Sequence, residues 1–216
     1  IHRQELVTDH INRIQFSNVD RLIFIAPHVQ EQYIKRSRIT DTNVSYQENY
    51  VDTHRVANGI KRPDAINNIG IVGIVPKLKN PVLALDIYKR LWKKNPHAKL
   101  LIKGKRPEEY DWMRKRPLEM EYYEAFFKEL KQIDRTENVE FVEYDVPMSD
   151  FYSRIGFVLS TSDYEGSHQS IAEGIATNCI PIIRNWTGAK YIYQGLELFD
   201  SAESAAEIIY NIQNNY

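Results

Sequence analysis

From about residue 66 onward, short β-branched runs alternate with longer segments of helical spacing. The runs are "IGIVGIV" (69–75), "AKLLIKG" (98–104), "NVEFVEY" (138–144), "GFVLSTS" (156–162) and "CIPIIRN" (179–185). Between the first two lies "VLALDIYKRLWKKN" (82–95), where Leu83, Ile87 and Leu91, with Ala84 and Tyr88, make one apolar stripe. Further helices are expected near 118–134, 148–155, 168–178 and 201–214. Strands that are apolar at nearly every position are covered on both faces, and strand–helix alternation requires parallel pairing. The chain is therefore expected to form an α/β domain, a doubly wound parallel sheet of Rossmann-like type. Ligands of such a sheet bind at the carboxyl ends of its strands.

The first 65 residues are organised differently. "VDRLIFIAP" (19–27) reads as one buried strand followed by a helix near 28–37, and "ITDTNVSYQENYVDTHRV" (39–56) is polar and punctuated like a linker. One strand with one or two helices cannot close a domain. Residues 1–65 are thus read as the tail of a preceding domain plus a connection, 66–200 as the ligand-binding domain and 201–216 as a C-terminal helix. With Ile1 rather than Met at its start, the chain is expected to be a piece of a longer protein.

Composition narrows the function classes. Lys and Arg number 28 against 29 Asp and Glu, a net charge of −1, which argues against nucleic acid held by bulk charge. A single cysteine, Cys179, excludes an internal disulfide and fits a reducing cytoplasmic setting. No apolar run approaches the roughly 18 residues of a membrane span.

The candidate site is assembled from strand exits. In "VGIVPKLKN", Gly73 falls within the first strand, and Lys77 and Lys79 precede a helix, where a cation could seat a phosphate or simply be solvated. The second strand ends at Gly104, flanked by Lys103, Lys105 and Arg106, which could frame an anion or stand exposed; G-x-G-x-x-G is absent. The fourth ends "LSTSDYEGSHQS", with Glu165 and Gly166 on the loop and a helix expected to begin near Ser167. Free N–H groups at that helix start would favour a negative ligand group. Glu173 falls about two turns in, roughly 9 Å from Ser167 at about 1.5 Å per residue. Spaced so, Glu165 and Glu173 could hold two parts of one elongated ligand, or be ordinary surface charges, but do not form a proton-sharing pair.

Other features carry less. The histidines show no zinc spacing, although His168 lies at the opening of the site. Cys179 begins a buried strand and reads as core. Lys89, Arg90, Lys93 and Lys94 beside Trp92 make a basic helix edge that reads as a solvated face rather than a membrane patch.

"STSDYEGSHQSIAEGIATNCIPII" resembles the donor-site signature of retaining glycosyltransferases of the two-domain GT-B fold, the glycosyltransferase group 1 or family 4 class. The Glu-x7-Glu spacing is kept by Glu165 and Glu173, Pro181 stands in "CIPII", and Gly73 and Lys79 match the glycine and lysine of the family's Gly-Arg-x-x-x-x-Lys. "NVDRLIFIAPHVQEQYI" and "SYQENYVDTHRV" are similar to its last N-domain elements and interdomain linker, so the resemblance spans about 19–212 and implies the C-terminal half of a GT-B fold. It implies that Glu173 binds a nucleotide's ribose and Glu165 the donor sugar. It further implies that backbone N–H groups of Gly166, Ser167 and His168 lie near sugar and phosphate, and that Lys79 neutralises the diphosphate leaving group, with Gly73, Gly104 and Lys105 completing the pocket. The substrate would be a UDP- or GDP-sugar, with no cofactor and no metal. The acceptor would be a saccharide or glycolipid, as in polysaccharide assembly, with peripheral membrane association at the inner face.

Two positions depart from the family. Ile74 stands where an arginine is usual, with Lys77, Lys103 or Lys105 as candidate replacements, and Ser167 and His168 replace Phe-Gly, so that they would bear on sugar choice. Lacking an N-terminal domain, this chain is expected to bind nucleotide without turnover. Two alternatives stand beside transfer: a sugar-nucleotide epimerase of the same fold, and a non-catalytic sugar-nucleotide-binding relative, which the loss at Ile74 favours.

Overall fold

Residues 1–37, 43–56, 60–133 and 135–215 are described by a computed structural model. The N-terminal part contains α1 (Arg3–Val7), β1 (Leu22–Phe24), α2 (Pro27–Ser37), β2 (Val44–Tyr46) and α3 (Thr53–Val56). Leu22 and Phe24 of β1 are buried with Leu6, Val29 and Tyr33 in a small core of their own. β2 lies in the stretch expected to be a linker, of which residues 39–42 fall outside the described residues. It pairs in parallel with β1, satisfying backbone groups that a lone strand would leave open. Three residues are too few to show a period.

The remaining elements are β3 (Asn68–Val72), α4 (Pro81–Lys94), β4 (Lys99–Lys103), α5 (Pro117–Lys131), β5 (Val139–Val142), α6 (Met148–Ser153), β6 (Phe157–Ser160), α7 (Gln169–Ala176), β7 (Ile180–Arg184), α8 (Ala189–Ile192), β8 (Leu198–Phe199) and α9 (Ala202–Asn215). Among the described residues, the six strands from β3 onward form one parallel sheet in the order β5-β4-β3-β6-β7-β8. This is the doubly wound Rossmann-like order. The chain winds outward from β3 to β5, then returns to the other side of β3, which leaves a crevice between the carboxyl ends of β3 and β6. Five of these strands coincide with the expected runs. The sixth, β8, is a two-residue edge that only pairing with Ile183 and Arg184 reveals.

Strand alternation covers both faces. Leu100, Ile102, Phe157, Leu159 and Ile182 face a core shared with α4, α5 and α9. Leu101, Val158 and Ile183 face the opposite core with α6 and α7. Each fully buried large apolar side chain contributes about 1.5–3 kcal/mol. On α4 the buried stripe is Ala84, Leu85, Ile87, Tyr88 and Leu91, so Leu85 takes the place expected for Leu83. Ala202, Ala205, Ala206 and Ile209 of α9 are buried in the same core as α4, so the C-terminal helix is an integral part of the sheet domain.

Candidate functional site

The site grows from the tips of β3 and β6. After β3 the chain makes a 3₁₀ turn, Lys77–Lys79, then enters α4 through Asn80. Asn80 caps the helix, its side-chain oxygen accepting from Leu83 N at 3.2 Å, with Pro81 pre-set for the first turn. Its amide also donates to Asp163 Oδ1 at 3.0 Å, and Asp163 N donates to Leu78 O at 2.8 Å. The β3 and β6 exits are thereby laced together. Thr161 Oγ1 adds a bond to Lys79 O at 2.7 Å.

Across this crevice Lys79 Nζ meets Glu165 Oε1 at 2.6 Å. The Ser162 hydroxyl donates to the same oxygen at 2.7 Å. Burial opposes the charge of Glu165, but the Lys79 ammonium and the Ser162 hydroxyl favour it, and the carboxyl is held below its ordinary value. The Glu165 carbonyl is held from the N-terminal part by His28 Nε2 at 2.8 Å. Lys79, Glu165, Gly166 and Ser167 line one cavity of about 340 Å³.

α7 begins at Gln169, with His168 rather than Ser167 at its cap position and no side-chain cap. Glu173 therefore lies five residues past the cap (168 to 173), one fewer than expected. Its Oε2 accepts from Tyr152 OH at 2.9 Å. Burial, and then the Glu173 charge, push the Tyr152 phenol far up, so it remains a donor. Glu173 and Gln169 line a second cavity of about 670 Å³ with Tyr50, Arg55, Pro147 and Met148. Both cavities are of ligand size. The two glutamates thus line different cavities.

Gly73 lies just beyond β3, not within it. Its φ of 75° and the 124° of Gly104 are backbone conformations that favour glycine. Gly73 N donates to Lys103 O at 2.7 Å, so the two glycines sit side by side at the β3 and β4 tips. Neither lines the two cavities described above.

The expected replacements for the missing arginine are placed elsewhere. Lys103 is 3% exposed, and its ammonium donates to the carbonyls of Glu143 and Tyr144. Lys105 lies over the Tyr144 ring at 5.1 Å, and Lys77 is exposed outside both cavities. Ile74 is buried in the core, its carbonyl accepting from Tyr123 OH at 2.9 Å.

His168 departs most from expectation. Its side chain is 5% exposed and lines neither cavity. Its backbone is engaged by the Tyr193 hydroxyl. Burial, then the Lys79 charge, push its imidazole down to about 4 against the opposing pull of Glu165. Several site residues escaped the sequence reading: Tyr152, Ser160, Ser162 and the Tyr50–Arg55 stretch. Of the site's supports, only Asn80-Pro81 carries a local signal, a helix cap. Among the described residues, no group of three or more His, Cys, Asp or Glu side chains could hold a metal ion.

No family model matches the sequence, and neither does any curated protein. Solved structures share the fold. A variant of S. aureus TarM in complex with Fondaparinux, alpha-GlcNAc-glycerol and UDP superposes with a TM-score of 0.72 at 16% identity, over 98% of this chain and 39% of that one. Anabaena HepE in complex with UDP-glucose gives 0.70 at 13% identity, over 91% and 55%. The pneumococcal O-GlcNAc transferase GtfA in complex with UDP and GlcNAc gives 0.63 at 14%, over 96% and 40%. The chain thus spans less than two thirds of each of these proteins. The fold they share with this chain is the Rossmann-like parallel α/β fold of GT-B type that the resemblance implied.

Proposed function

We propose that this chain is the donor-binding half of a glycosyltransferase that moves a sugar from a nucleotide sugar to a saccharide or glycolipid acceptor, with retention of configuration. The observation that carries this is the Lys79–Glu165 pair across the β3–β6 crevice, with Glu173, from the helix that follows β6, lining a second cavity. An elongated ligand with a sugar at one end, a nucleoside at the other and a diphosphate between them matches that order of groups. Three structural neighbours were solved with UDP or a UDP-sugar, which favours uridine over guanosine.

In this reading Glu173, oriented by Tyr152, accepts hydrogen bonds from the ribose hydroxyls. Glu165 does the same for the donor sugar, and Gly166 and Ser167 form the wall beside it. Lys79 stabilises the negative charge that develops on the departing diphosphate, a preorganised cation in a partly dry site. The cationic role falls to this lysine, and no metal enters the scheme. A lipid-linked acceptor would bring the enzyme to the inner membrane face; among the described residues no helix is long and apolar enough to cross a membrane. The burial of Ile74 in the core favours a second reading, a relative that binds sugar nucleotides without transferring them.

Calorimetric titration with UDP and GDP tests the proposal. One of them should bind without turnover by this chain, and Glu173→Ala should weaken it by about tenfold or more, the loss of a charge-assisted hydrogen bond. A folded sample that binds neither at millimolar concentration would sink the donor-site reading.

A further inference from the structure

His168 stands behind the Lys79–Glu165 pair, out of reach of either cavity, yet it is bonded in a definite way. Its Nδ1 lies 2.8 Å from Ser160 Oγ, the fully buried last residue of β6. Its Nε2 lies 3.5 Å from Lys79 Nζ and 3.9 Å from Glu165 Oε1. An ammonium group has only donors to offer, so the ring nitrogen facing it must present a lone pair. The single ring proton is then on Nδ1, donated to Ser160 Oγ. The tautomer of His168 is thus set from the Lys79 side, and the Ser160 hydroxyl, able to donate or accept, accommodates it.

We propose that His168 is a positioning residue of the donor site: its neutral imidazole, oriented by Ser160, holds the Lys79 ammonium so that the remaining N–H points into the cavity where a phosphate oxygen of the ligand is bound. This rests on the donor-site reading above and adds to it the residue that aims the cation. The backbone end of Lys79 is already pinned by Thr161. Without a second anchor, the ammonium is free to swing about its bond to Glu165. A neutral acceptor suits the place because Glu165 already balances Lys79. A further carboxylate would make the crevice net negative and repel a diphosphate. A protonated imidazole would set a second cation 3.5 Å from the first, and burial resists that protonation.

Titration with UDP or GDP, whichever binds, and with the matching nucleoside separates the phosphate-dependent part of affinity from the rest. His168→Leu should weaken the diphosphate about tenfold and leave the nucleoside within about twofold, whereas His168→Gln, whose amide oxygen can accept from Lys79, should recover most of the loss. If the leucine variant does not fold, Ser160→Ala decides, with an expected loss of about threefold for the diphosphate alone. Unchanged diphosphate affinity, or equal losses for diphosphate and nucleoside, overturns the role of His168. A wild-type chain that binds no nucleotide overturns the donor-site reading itself, and the proposal with it.

Discussion

Glu165 and Glu173 stand eight positions apart, and their surroundings give them different work. Glu165 is on a loop between two strand tips, where a lysine and a serine hydroxyl share one of its oxygens. Glu173 is on a helix, where a buried phenol holds it toward the larger cavity. The residue between them that most affects measurable behaviour is His168. Its folded imidazole titrates at about 4 against an ordinary 6.5, so as pH falls the unfolded chain takes up the proton first. Stability is therefore full above about pH 6.5 and is lost progressively down to about pH 4, by roughly 3 kcal/mol for a shift of this size. His28, lowered chiefly by burial, acts in the same direction. Denaturant unfolding across this range should show the fall, and His168→Gln should flatten it. A wild-type curve that stays level between pH 6.5 and 4 would rule out a buried neutral imidazole.

At the scale of elements, the position of Glu173 depends on how closely α7 approaches the sheet. A Cβ added at Gly174 would lie 2.5 Å from Val158 Cγ1 and 2.8 Å from Val158 Cβ, so the helix packs at a distance that only glycine permits. Gly174→Ala should push α7 outward, lower stability by about 1–3 kcal/mol and weaken nucleotide binding, with Val158→Ala in the same chain restoring part of both. Thermal melts and calorimetry on the single and double variants check this. The elements were largely legible because five of the sheet's strands are short runs dominated by β-branched and other apolar residues. The start of α7 falls within one residue of expectation: His168 rather than Ser167 takes the cap position, and no side chain caps there. β2 and β8 were missed because a strand of two or three residues has no period of its own. Each is made by the neighbour it pairs with.

Across the molecule, the segment leading into β3 is fastened to the sheet domain by Arg62, which bonds Ser153 O and Asp150, and by a lysine beside it. Lys61 Nζ donates to the carbonyls of Tyr152 and Ile155, each at 2.7 Å, and lies 2.8 Å from Cys179 Sγ. Lys61→Met would leave both carbonyls without that donor, at a cost of about 1–3 kcal/mol, visible as a lower Tm. An unchanged Tm would mean that solvent replaces the lysine. The doubly wound architecture, the strand tips as the site's location and the spacing of the two glutamates all follow from local patterns, since alternation and apolar runs report directly on what each segment must bury. Which cation faces Glu165 does not follow from them. Alternation and apolar runs do not separate Lys77, Lys79, Lys103 and Lys105; only the family resemblance singles out Lys79, and the fold shows where each one goes. Lys103 is buried against carbonyls, Lys105 rests on a tyrosine ring, and Lys77 is exposed. Lys79 alone of these four meets the carboxylate, because the return of the chain from β5 to the far side of β3 sets the β3 and β6 tips side by side. The same crossing brings Ser160 and His168 behind that pair, a contact between residues more than 80 positions from Lys79 that no local pattern encodes.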